Sequence, residues 1–216
     1  MQIPDITLSR ARMPRIIPLL LVAVMVAACS PPKPPQTAQA TLLPSPKPIA
    51  DFQLADHAGQ PFTLDSLKNR WTFAFFGYTH CPDVCPTSLS MLGQVQRLLE
   101  KSLDADHRPQ VIFVSVDPER DTPELLSKFV PYFHPDFMGV TGHADEILRL
   151  TRQLGIIYAK SDSEANTADS YLVDHSAAII LFDPAGKFHA LFNVPHDPQL
   201  IAADFLAIQA YYEAIR

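Results

Sequence analysis

Two cysteines four residues apart, Cys81 and Cys85, offer this 216-residue chain its most pointed chemistry. They stand in Gly77-Tyr-Thr-His-Cys-Pro-Asp-Val-Cys-Pro86, after the apolar run Trp71-Thr-Phe-Ala-Phe-Phe76 and before an amphipathic run that begins at Leu89. That order reads as a buried strand, a loop with thiols, and a helix. Pro86 lacks an N–H and fits only the first turn of a helix. The helix is therefore expected to start near Pro86, with Cys85 at its mouth and Cys81 and Pro82 in the loop. Thiols at a helix N-terminus meet the positive end of the macrodipole, which favours the thiolate, the form that attacks disulfides and binds soft metals. The pair reads as a reactive couple, a metal site, or both.

The N-terminus sets the compartment. Arg10, Arg12 and Arg15 precede an apolar run from Ile16 to Ala28 that is too short for a bilayer core, which takes about 20 residues. Residues 1–28 read as a signal peptide, and Val26-Ala-Ala-Cys29 resembles a bacterial lipobox in which Cys29 is lipidated. A plain signal peptide or an uncleaved anchor is the competing reading. Losing residues 1–28 removes three arginines and one aspartate, which carries the net charge from −6 to −8. An acidic, exported chain without a basic run is a poor partner for nucleic acid or anionic headgroups. With Cys29 assigned to lipid, only Cys81 and Cys85 remain. The loop they would close is too small for a disulfide to act as much of a fold staple, so their role is functional.

Ser30–Pro48 holds seven prolines in nineteen residues and reads, with Cys29, as a lipidated tether over 29–48. Residues 49–216 have the size of one compact domain. Phe52–Asp56 and Pro61–Leu64 form an expected hairpin, and Asp65 caps a short turn through Lys68. Strands are expected at Trp71–Gly77, Val111–Val116, Phe137–Val140, around Tyr158, at Ala177–Phe182 and at Phe188–Phe192. Helices are expected at Pro86–Leu103, from Thr122-Pro123 onward, around Ile147–Leu154 and at Pro198–Ile215. The polar stretch Ser161–Ser170 reads as a loop. Strands alternating with helices, then a hairpin and a closing helix, give an α/β fold with a mixed central sheet flanked by helices and an N-terminal hairpin extension.

That order, with thiols at the strand-to-helix turn, looks like a thioredoxin-like fold. Thr79-His-Cys-Pro-Asp-Val-Cys-Pro86, Val116-Asp-Pro-Glu-Arg-Asp-Thr122 and Tyr171-Leu-Val-Asp-His-Ser176, taken together, resemble the Sco/SenC family over residues 50–216. The resemblance implies a membrane-anchored protein that carries copper for cytochrome c oxidase assembly, with Cys81, Cys85 and His175 as metal ligands. It also implies that His175 faces the thiols, from the position that thioredoxins give to a cis-proline. The donor chemistry agrees: thiolates suit Cu(I), and imidazole suits Cu(I) and Cu(II). His80 is expected to tune the site rather than bind. Asp117 is a candidate to order the site or dock a partner, or a loop carboxylate that caps local N–H groups. Asp174 is a candidate to orient the imidazole. His57, His107, His134, His143, His189 and His196 are given no role, and Phe73, Phe75 and Phe76 are core.

The implied partners are the CuA-bearing oxidase subunit, other periplasmic copper chaperones or thiol reductases, and a membrane of the bacterial cell envelope through the lipid. The competing function is a thiol–disulfide oxidoreductase that reduces a target's cysteines. A peroxidase of the peroxiredoxin type lacks its Pro-x-x-x-Thr-x-x-Cys pattern here. A Cys₂His zinc site is chemically feasible but fits an exported, redox-active pair less well.

Overall fold

The computed structural model describes residues 32–161 and 172–216. Cys29, the signal peptide and most of the polar Ser161–Ser170 stretch lie outside the described residues. Ten strands appear among those described: β1 (Ala40–Lys47), β2 (Gln53–Asp56), β3 (Pro61–Thr63), β4 (Thr72–Gly77), β5 (Gln110–Ser115), β6 (Met138–Thr141), β7 (Tyr158–Ser161), β8 (Leu172–His175), β9 (Ile179–Phe182) and β10 (Phe188–Phe192). The helices are α1 (Val84–Leu99), α2 (Pro123–Phe129), α3 (Ala144–Leu154) and α4 (Pro198–Ala214). Eight strands form one mixed sheet in the order β1-β10-β9-β4-β5-β6-β2-β3, and β7 and β8 form a separate antiparallel pair.

The centre of the sheet follows from its sequence. All six residues of β4, Thr-Phe-Ala-Phe-Phe-Gly, are buried, as a strand covered on both faces requires. It runs parallel to β5, residue for residue from Thr72↔Gln110 to Gly77↔Ser115, and antiparallel to β9. This is the α/β arrangement expected from the sequence, and the expected N-terminal hairpin is β2–β3, joined to the sheet through β6. α1 and α4 pack against one another. Phe73 and Trp71 meet Phe205 of α4 at ring-centroid distances of 5.4 and 5.8 Å, which seats the closing helix on the central strand. Thr122 accepts the Leu125 N–H and Pro123 opens α2, as the cap-and-proline pair predicts. Among the described residues no helix is long and apolar enough to cross a membrane.

The main departure is at the start. Ala40–Lys47, which the proline content places in the tether, is an edge strand paired antiparallel with β10. Its register shifts between Leu42 and Lys47, around Pro44 and Pro46. An edge strand tolerates proline because one side of its ladder has no partner to lose. The folded region thus begins ahead of residue 49, and the tether is correspondingly shorter. Smaller departures are a cap at Thr63 rather than Asp65 for the Leu64–Leu67 turn, and an end at Leu99 rather than Leu103 for α1.

Candidate metal centre

The thiols lie where β4 ends. Asp83 is the N-cap of α1, so the helix starts at Val84, Cys85 sits in the first turn, and Pro86 follows within that turn, where its missing N–H has no intrahelical partner to lose. Cys81 is in the preceding loop, as expected, and its N–H reaches the Tyr78 carbonyl at 3.3 Å. The two cysteines are thiols rather than a disulfide; Cys81 is half-buried and Cys85 fully buried. The Cys85 N–H donates to Cys81 Sγ at 3.4 Å, so the donor end of the helix points at the outer sulfur.

Cys85 corrects the expectation of a thiolate-favouring environment. Burial pushes its thiol pKa well up, and a hydrogen bond from the Tyr78 backbone opposes that shift only in part. The sulfur lies against the end of β4, since a Cβ added at Gly77 would come within 2.5 Å of it and 2.9 Å of Phe113. Glycine is therefore required there by space, and the inner thiol is packed as core. Of the two, Cys81 is the one placed to meet another molecule.

A buried carboxylate fixes the loop in front of the thiols. Asp121 has no exposed surface, and it accepts from the Thr79 N–H (3.0 Å), the Thr79 hydroxyl (2.6 Å) and the Ser115 hydroxyl (2.7 Å). Thr79 Oγ1 also lies 3.0 Å from His80 Nδ1, which is itself 3.9 Å from Asp121. His80 is thereby tied to the loop support, with its side chain about half exposed. Asp117 does something different. It too is buried, but it pairs with Arg120, whose guanidinium sits 5.5 Å from the Tyr78 ring centroid. The sequence points to Asp117 and not to Asp121. The only signal for Asp121 was its place in the Val116–Thr122 segment.

Tyr78 connects the thiol loop to β8. Burial raises its hydroxyl pKa, and a hydrogen bond from the Val173 backbone works against that rise. Val173 is two residues before His175, the last residue of β8, which pairs with Tyr158 of β7. Four residues later Ile179 pairs with Phe75 of β4. The backbone of His175 is thus brought to the same end of the sheet as Cys81 and Cys85. The side chains of Asp174 and His175 lie outside what the structure describes.

Among the described residues, one further group of possible ligands comes together at the other end of α1, where Glu100, His134 and Asp136 hold donor atoms within 4.8 Å of one another. Its hydrogen bonds argue against a metal. The Asp136 N–H donates to His134 Nδ1 (3.3 Å), which makes Nδ1 the unprotonated nitrogen and puts the proton on Nε2, 3.1 Å from Glu100. A proton stands where a metal would need a lone pair.

Known proteins share this fold. The chain is 39% identical over 138 residues to the mitochondrial SCO2 homolog of Mus musculus, a match covering 64% of this chain and 53% of that protein. It thus spans about half the length of that relative. Bradyrhizobium japonicum ScoI, solved with copper bound, shares 38% identity at a TM-score of 0.65 over 76% of this chain and 99% of that one. Arabidopsis thaliana ScoI, also solved with copper bound, shares 32% identity at a TM-score of 0.68 over 76% and 98%. Residues 42–210 match the SCO1/SenC family model, a span that takes in β1 from Leu42 onward and every residue of the thiol loop and β8, and the chain belongs to that family.

Proposed function

We propose that this protein is a copper carrier that holds the ion with Cys81, Cys85 and His175 and hands it to the CuA-bearing subunit of cytochrome c oxidase during assembly. The observation that carries this reading is the link through Tyr78. One residue joins the thiol loop to β8, so that a soft sulfur pair and the strand ending in His175 are held at one sheet end. Two thiolates and an imidazole make a donor set for Cu(I) that also accommodates Cu(II). The copper-bound ScoI relatives support the same choice of metal. In this reading a lipid on Cys29 keeps the protein on a membrane of the cell envelope, and other periplasmic copper carriers or thiol reductases load and reduce it.

The test is a copper titration of the reduced, full-length protein against the disulfide form and against His175→Ala. The reduced protein binds about one ion per chain and the oxidised form far less, because a disulfide offers no thiolate. His175→Ala weakens binding, above all of Cu(II), while the cysteines still cycle between dithiol and disulfide. Equal affinity in all three would sink the proposal.

A second reading, thiol–disulfide exchange with a target's cysteines, draws on the unequal burial of the pair. A half-exposed Cys81 ahead of a buried Cys85 suits attack by the outer thiol and resolution by the inner one. If His175→Ala keeps full oxidase assembly while Cys81→Ser or Cys85→Ser abolishes it, this second reading is the function.

A further inference from the structure

The chain enters the fold at the thiol end of the sheet, and a buried carboxylate keeps it there. Ala40 opens β1 opposite Phe192, Phe192 pairs with Ile179, and Ile179 pairs with Phe75, two residues before Gly77. Three strand spacings separate Ala40 from Phe75, about 14 Å across the sheet. The residues just before Ala40 therefore sit at the same end as the loop that bears Cys81.

Their attachment is built rather than incidental. Asp204 of α4 is 5% exposed, and its carboxylate accepts the backbone N–H groups of Ala38 (2.9 Å), Gln39 (2.7 Å) and Ala40 (2.8 Å). The Gln39 side chain donates to the Pro195 carbonyl (2.6 Å) and accepts the Asp197 N–H (2.9 Å). Thr37 Oγ1 donates to the Ala40 carbonyl at 2.6 Å. β10 already joins Ala40, Thr41 and Leu42 of the strand to the sheet. What Asp204 adds is a fixed point of departure for the chain that precedes it, through charge-assisted hydrogen bonds of the strongest kind available to backbone.

We propose that this clamp turns the metal-bearing end of the domain toward the membrane, so that copper is released to an acceptor standing close to the bilayer surface. The proposal rests on the lipid anchor at Cys29 in the preceding section. From Cys29 to Thr37 there are eight peptide steps. They reach at most about 29 Å fully extended, or about 25 Å in the polyproline form that Pro31, Pro32, Pro34 and Pro35 favour. A tether that ran on to residue 48 would reach about twice as far and leave the domain free to turn over. The far end of the sheet, at the turn Asp183–Lys187, is a strand's length further from the lipid, at most about 25 Å along the chain from Val194. The near end also carries exposed apolar side chains, Val84 between the cysteines and Val194 on the loop after β10, at 42% and 60% exposure. The occupant of this face is a membrane-bound protein that offers thiolate or imidazole ligands within about 30 Å of the bilayer.

The test uses the lipidated full-length protein on vesicles that contain a fluorescent acceptor lipid. A donor dye is placed through an unnatural amino acid at Val194, on the near end, or at Lys187, on the far end. Energy transfer to the lipid is expected to be several-fold stronger from position 194 than from 187. Inserting about twenty Gly/Ser residues after Pro35 should abolish that difference, and Asp204→Asn should diminish it. Copper should also pass faster to a Cys/His peptide displayed at the lipid surface than to the same peptide on a helical stalk of about 60 residues, roughly 90 Å long. Equal transfer from 194 and 187 on protein that floats with the vesicles would overturn the orientation and leave the anchor standing. Protein that does not float would remove the anchor and, with it, the leash.

Discussion

The two ends of helix α1 both gather side chains that bind metals, and they use them in opposite ways. At the C-terminal end Glu100, His134 and Asp136 are close together, but both ring nitrogens of His134 are engaged, Nδ1 by the Asp136 backbone N–H and Nε2 by Glu100. At the N-terminal end Cys81 Sγ accepts the Cys85 N–H, the Cys85 sulfur meets the Tyr78 backbone and Cys81, and the Asp121 carboxylate and the Thr79 and Ser115 hydroxyls hold the loop in front of them. Closeness of donors is thus a poor criterion for a metal site. What separates the two ends is what the surrounding hydrogen bonds hold: the histidine ring at one end, the loop at the other.

The sharpest test of this contrast is to remove ligands at each end. Cys81→Ser or Cys85→Ser is expected to cost on the order of 100-fold or more in Cu(I) affinity, measured by competition with a chelator. His134→Ala should leave that affinity unchanged. A comparable loss from His134→Ala would break the comparison outright.

Stability should draw on both ends. Asp121→Ala strands three donors, two of them from Thr79, and is expected to cost about 2–4 kcal/mol in chemical unfolding. The same variant should release copper faster, because Thr79 and His80 lead directly into Cys81. His134→Ala is expected to cost about 1–3 kcal/mol, with no change in copper release.

Thiol reactivity gives a smaller, separate reading of the N-terminal end. Iodoacetamide on the reduced protein should modify Cys81 several-fold faster than Cys85, as followed by peptide mass spectrometry, because only Cys81 has exposed surface. Equal rates would mean that the inner thiol is not packed as the structure has it.

The smallest effect is in pH. Burial holds the Cys85 thiol neutral in the folded state, with its pKa raised, whereas an unfolded thiol ionises near about 8.5. Above that value the unfolded state binds fewer protons than the folded one, so stability falls as pH rises. The stability is fully present below about pH 8.5 and is lost above it at up to about 1.4 kcal/mol per unit. Cys85→Ser should remove this slope in unfolding curves of the reduced protein.

Much of this was legible in the chain because it is local. β4 announces itself by an unbroken apolar run, α2 by Thr122-Pro123, and β10 by Phe188–Phe192 between turn residues. The cysteines declare themselves by type and spacing. What was not legible depends on contacts far apart in sequence. Asp121 matters because Thr79, 42 positions away, turns its N–H and hydroxyl to it. Tyr78 matters because Val173 reaches it from a different element. β1 was read as tether because proline content carries no record of an edge partner such as β10, supplied about 150 residues later. The helix-dipole argument for Cys85 failed for the same kind of reason. Local position favours the thiolate, and a core assembled from remote strands outweighs it.

The prolines that hid β1 have a consequence for life in a crowd. With the proposed lipid anchor, copies confined to two dimensions would collide far more often than in bulk. An open sheet margin is then an invitation for one copy to zip onto the next. Both margins of this sheet are spoiled for such pairing: Pro44 and Pro46 interrupt β1, and the outermost strand on the other side is three residues long and begins with Pro61. Missing N–H groups and a broken register deny an incoming strand a continuous ladder. Copies of the chain can meet at high local density without pairing edge to edge.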